Sequence, residues 1–146
     1  MTGAGTNWRG SLVPQLARSR SFARVALISG LIWAAWHWPL ILLSTDVTGL
    51  SAVPPAYALV TSSLTLIGAG TVLACITLKS GSVLPAVVLH GAQNGFTHGF
   101  FLTHTAKSDI SAYWLSEAGA LLAVAWLIAA AATLVRARID EAQASV

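Results

Sequence analysis

A chain of 146 residues that is 55% hydrophobic and 9% charged, with a mean hydropathy of +0.72, has too few polar side chains to cover a soluble globule, in which about 25% charged residues is usual. It is expected to be all-α, a polytopic membrane helical bundle of about four transmembrane helices with the bilayer as its solvent. The net charge of +3 does not indicate a nucleic-acid partner, because the basic residues flank apolar runs, and the single cysteine, Cys75, excludes a disulfide within the chain.

Residues 1–24 read as a basic cytoplasmic, juxtamembrane segment carrying Arg9, Arg18, Arg20 and Arg24, without the apolar core of a cleavable signal. The transmembrane bundle is expected over 25–135, with spans near 25–43, 55–78, 82–103 and 113–135. The Ser, Thr, Asp, Gly and Pro of 44–54 mark a loop, Lys79-Ser80-Gly81 a short turn, and Thr105 to Ala112 a polar loop. Residues 136–146 form a charged cytoplasmic tail. Four spans put both termini and Lys79 on one side with seven of the eight basic residues, leaving Lys107 opposite. The positive-inside rule makes that side cytoplasmic. The second and fourth spans, rich in small residues, are expected to serve as packing helices. Trp33, Trp36 and Trp38 cluster away from the span ends and are read as filling the bundle.

Ionisable groups at bilayer depth cost about 2.5–3.5 kcal/mol on insertion scales and usually face an interior cavity. His37 lies roughly 18 Å from the cytoplasmic side at the helical rise per residue, His90 roughly 12 Å and Asn94 roughly 18 Å. His90 and Asn94, four residues apart, share a helix face, and His98 continues the stripe about 80° round from His90. Two histidines and an asparagine thus meet at similar depth. One reading is a proton-handling or metal-binding cluster, since neutral imidazole accepts a proton or binds a metal and an amide donates to an oxyanion. The other is polar glue between helices. His104, at a helix end, is read as interfacial, and so is Glu117, about one turn inside the fourth span.

Trp8-Arg9-Gly10-Ser11-Leu12-Val13-Pro14, then Trp33-Ala34-Ala35-Trp36-His37-Trp38-Pro39, then His90-Gly91-Ala92-Gln93-Asn94 occur in that order. This resembles the CPBP intramembrane proteases: the type II CAAX prenyl endopeptidases, the bacteriocin-processing and self-immunity proteins, and their lysostaphin-resistance relatives. That family's pattern is Glu-Glu-x-x-x-Arg, an aromatic-x-x-x-His, and His-x-x-x-Asn. Trp33-x-x-x-His37 fits the second part and His90-x-x-x-Asn94 the third. The first supplies Arg9, but the paired glutamates fall at Ala4 and Gly5, neither of them acidic. The resemblance covers about residues 6–100, the family's catalytic half without its front, which implies a truncated or misassigned start, or a degenerate copy.

What the resemblance implies is an intramembrane endopeptidase of multi-pass topology in the cell membrane. Its partners would be the lipid bilayer and a membrane-associated peptide or prenylated protein C-terminus. Arg9, His37, His90 and Asn94 would form its site. His37 would help a first-motif glutamate activate water, while His90 and Asn94 would hold the oxyanion. Without that glutamate, histidine alone remains as base, so weak or absent activity is expected. A divalent metal such as zinc, if bound, would use His37 and His90, two ligands where a catalytic zinc usually has three. Two other functions stay open: a non-catalytic membrane immunity or scaffold protein, favoured by the absent glutamates, and a small four-helix proton-coupled transporter.

Overall fold

The computed structural model describes residues 3–43, 53–105 and 108–144; of residues 3–9, 102 and 109 the backbone alone is described. Helix α1 (Gly3–Ala17) precedes a turn at 18–20, and α2 (Phe22–Leu43) follows. In α2 the buried residues Val25, Ala26, Ser29, Gly30, Trp33, Ala34 and Ile41 recur every three or four positions, the period of a helix with one covered face. Helix α3 (Pro55–Ser80) begins with Pro55 in its first turn, where the missing N–H costs nothing, and ends at Gly81, whose φ of 64° favours glycine. All its buried residues except Leu73 are Ala, Gly, Ser or Thr. Such small residues let neighbouring backbones come close, and α3 is the central helix, packed most extensively against α2 and α7 (Ala120–Ala144) and less against α4 (Leu84–Phe96).

The closeness is measurable. A Cβ added at Gly70 would lie 3.1 Å from the Cα of Gly30, and one added at Gly68 would lie 2.8 Å from the backbone of Trp126. Overpacking of this kind typically costs 1–3 kcal/mol (about, by analogy with core insertions). Gly68→Val is therefore expected to lower the unfolding midpoint in detergent micelles. Gly10→Ala, where a Cβ meets nothing within 4 Å, should leave it unchanged or raise it slightly, because alanine is the better helix former. Equal midpoints for the two variants would refute the close α3–α7 packing.

Three buried clusters stack along the bundle: Val13, Val25 and Ala74 at the Lys79 end, Trp33, Ala69, Leu73 and Ala86 in the middle, and Ile41, Val53, Ala58 and Ala118 at the far end. Outside them Leu27, Leu43, Val88 and Ile128 are exposed, the apolar exterior that a bilayer requires. The chain is an all-α polytopic membrane helical bundle, with no strand among the described residues.

Four features differ from the sequence reading. Among the described residues, three helical stretches are long and apolar enough by length and composition to cross a membrane: Phe22–Leu43, Pro55–Ser80 and Ile110–Ala144. The stretch expected as the third span is segmented into α4, a π-helical segment Thr97–Phe101 and α5 (Leu102–His104). The helix nevertheless runs without a gap from residue 84 to 104, and Gly91, Gly95 and Gly99 alternate there with the polar stripe. Second, the expected loop 105–112 contains the start of α6 (Asp109–Leu115), opened by a capping box in which Ser108 and Ser111 exchange hydrogen bonds. The chain then breaks at 116–119 before α7. Third, α7 runs on through the expected tail to Ala144, and Lys79 Nζ meets Asp140 there at 2.7 Å. Fourth, of these three tryptophans Trp33 alone fills the bundle, at 6% exposure, while Trp36 is 72% exposed. Trp38 turns its indole N–H to Ser63 Oγ at 3.1 Å. At 100° per residue the three tryptophans cannot share one face.

Candidate active site

Helix α2 carries Trp33 and His37 one turn apart, and α4 carries His90 and Asn94 one turn apart. The two helices converge on the Trp33 ring. His37 stands edge-on to it with ring centroids 5.7 Å apart and planes at 78°, and His90 does the same at 5.2 Å and 74°. One buried indole thus holds an imidazole from each helix in the edge-to-face geometry that aromatic quadrupoles favour. Both histidines and Asn94 are half-buried, on the faces turned toward the bundle.

Hydrogen bonds orient the rings. His37 Nδ1 lies 2.9 Å from the carbonyl oxygen of Trp33. A carbonyl only accepts, so Nδ1 carries the hydrogen, and in the neutral ring Nε2 is left with its lone pair. Asn94 Nδ2 donates to His90 Nε2 at 3.3 Å, which puts the hydrogen of a neutral His90 on Nδ1. The two histidines therefore hold opposite tautomers. His37 offers a proton acceptor or a ligand atom, and the Asn94 amide offers a hydrogen-bond donor beside His90 of the kind that holds an oxyanion.

Arg9, Ala4 and Gly5 lie on α1, with side chains outside the described residues; residues 44–52 of the expected loop 44–54 and Lys107 also lie outside them. His98, in the π segment, places Nε2 3.5 Å from Glu117 Oε1 at the break before α7, and both side chains are over a third exposed. His104 donates from Nδ1 to the carbonyl of Phe100 at 2.7 Å and stacks on the Phe100 ring at 4.7 Å. Among the described residues no three His, Cys, Asp or Glu side chains are grouped for a metal. The donors among the described side chains do not fit a catalytic zinc with three protein ligands.

Two features escaped the sequence. Trp33 is the common contact of both histidines, which its spacing four residues before His37 hinted at, since that spacing shares a face. Glu117 pairs with His98, and the signal was their similar distance from the same end of the bundle.

Paired histidines and an asparagine thus form a polar cluster inside a helical membrane bundle. Over residues 6–96 the chain matches the family described as type II CAAX prenyl endopeptidase Rce1-like, and it belongs to that family, which bears out the resemblance seen in the motifs. The match spans more than half of the chain and includes Trp33, His37, His90 and Asn94. No curated relative and no solved structure matches it.

Proposed function

We propose that the chain is an intramembrane endopeptidase of the CAAX type, cleaving membrane-associated peptides or prenylated protein C-termini with activated water. The observation that carries this reading is the convergence of His37 and His90 on the Trp33 ring, with Asn94 hydrogen-bonded to His90. His37 Nε2 takes the proton of the attacking water. Its imidazolium keeps the Nδ1–H bond to the Trp33 carbonyl, so the ring need not turn as it charges. As the peptide carbonyl becomes tetrahedral, the Asn94 amide nitrogen donates to the oxyanion, and His90 beside it orients that amide. His37 then returns its proton to the leaving amine. By the positive-inside rule both termini lie on the cytoplasmic side, with Lys79, Arg136 and Arg138.

Asn94→Ala tests the oxyanion assignment. In proteoliposomes with a prenylated CAAX peptide, kcat is expected to fall by about 10²–10³-fold, the effect of removing one oxyanion donor, with KM little changed. Equal loss in KM with kcat intact would make Asn94 a binding group and remove the assignment.

Ala4 and Gly5, where the family has glutamates, favour a second reading. In it the chain binds a membrane partner without cleaving it. Peptide that copurifies intact and stays bound in His37→Ala and His90→Ala variants would support that reading against the first.

A further inference from the structure

The helix that carries His90 and Asn94 is held unevenly along its length. Its first half packs into the bundle: Ala86 belongs to the cluster of Trp33, Ala69 and Leu73, with Leu89 against it, and the Trp33 ring meets His90. Beyond Asn94, none of the described side chains up to residue 104 is buried. The hydrogen bonds and ring contacts of this half are internal, as between Thr103 and the carbonyl of Gly99, His104 and Phe100, and Phe96 and Phe101. Among the described residues one polar contact crosses to another element. His98 Nε2, in the π segment, lies 3.5 Å from Glu117 Oε1, and π turns inside helices recur at functional positions.

Glu117 is the anchored member of the pair. It stands at the corner 116–119 between α6 and α7, with buried Ser116 and Ala118 on either side. Ala118 belongs to the cluster of Ile41 from α2 and Ala58 from α3. Ser116 Oγ donates to the Ala112 carbonyl at 2.6 Å, and the Gly119 N–H donates to the Ser116 carbonyl at 2.8 Å. A Cβ at Gly119 would lie 2.5 Å from the Trp114 carbonyl oxygen, so the corner closes this tightly only on glycine. An exposed ion pair is usually weak, because ordering two long side chains offsets its attraction. Here the corner has already ordered the backbone from which the carboxylate projects, and polar groups on membrane helices pair because lipid offers them no partner.

We infer that His98 and Glu117 form a clasp, by which the corner holds the far half of the 84–104 helix to the bundle and so positions Asn94, four residues before His98. Both are positioning residues, acting through the helix rather than on substrate. The inference deepens the reading of His90 and Asn94 as site residues and rests on it, but its test does not need cleavage.

Backbone hydrogen exchange of the full chain in lipid nanodiscs is compared among the parent, Glu117→Ala, His98→Ala and the variant carrying both. Local opening of a weakly packed segment is what such exchange reads. Glu117→Ala is expected to speed exchange of the 91–104 amides several-fold while those of α3 keep the parent rate. In the His98→Ala background the same substitution should add nothing, because the contact is already gone. The exchanged pair, His98→Glu with Glu117→His, should bring protection back, and protection that stays lost counts against the clasp. Equal acceleration by Glu117→Ala in both backgrounds, or none in either, overturns it. Faster exchange throughout α3 would make Glu117 a general support of the fold and overturn it too. Where cleavage is measurable, Glu117→Ala lowers kcat several-fold at unchanged KM, and the exchanged pair restores it. Absence of cleavage in the parent chain would count against the endopeptidase reading alone, leaving hydrogen exchange to decide on the clasp.

Discussion

Replacement of His37 by alanine is expected to lower peptide cleavage by about 10²–10⁴-fold, the usual contribution of a general base. The reason lies in one hydrogen bond. The Trp33 carbonyl fixes the hydrogen of the neutral ring on Nδ1, 2.9 Å away, and thereby frees Nε2. Neither of the side chains at positions 4 and 5 can share the work, since alanine and glycine stand there. The loss should appear in kcat, measured as release of the C-terminal tripeptide from a prenylated peptide in proteoliposomes. In a chain carrying Ala4→Glu and Gly5→Glu the same substitution should still abolish most of the rate. Cleavage that survives His37→Ala in both backgrounds would show that another group activates water.

The second large effect belongs to Trp33. Truncating a buried tryptophan typically costs 3–5 kcal/mol (about, for core positions). Here the residue also touches both histidines, each edge-to-face contact being worth about 0.5–1.5 kcal/mol beyond area. Trp33→Ala is expected to lower the unfolding midpoint strongly and to remove cleavage together with it. Trp33→Phe keeps an aromatic face and the backbone carbonyl that holds His37, so it should retain the fold with a smaller loss. Unfolding followed in mixed micelles, read beside the cleavage rate, separates the two. If Trp33→Ala unfolds no earlier than the parent chain, the indole does not bridge α2 and α4.

Part of this arrangement can be read from residue order. His90 and Asn94, like Trp33 and His37, are four apart, and in any helix that spacing puts both members on one face. The long apolar runs identify a membrane bundle whatever the packing, because so few charged groups could not solvate a globule's surface. Family membership was legible from the motif order, including the missing acidic pair. The segmentation of 82–103 was not. A hydropathy count sees enough apolar residues there, but the local backbone responds to Gly91, Gly95 and Gly99 and to the π turn that carries His98. The break at 116–119 was hidden inside an apolar run for the same reason.

By itself the sequence determined the solvent, the class of fold and which polar side chains share a helix face, since these depend on composition and on the helical period alone. Only the tertiary structure decided that α2 and α4 meet through the Trp33 ring, that His98 faces Glu117 and that Trp36 points outward. Those outcomes turn on the rotation of each helix about its own axis and on how closely α3 lets its neighbours approach. Gly68 and Gly70 set that approach through contacts with Trp126 and Gly30, residues distant in the chain, and no local pattern contains them.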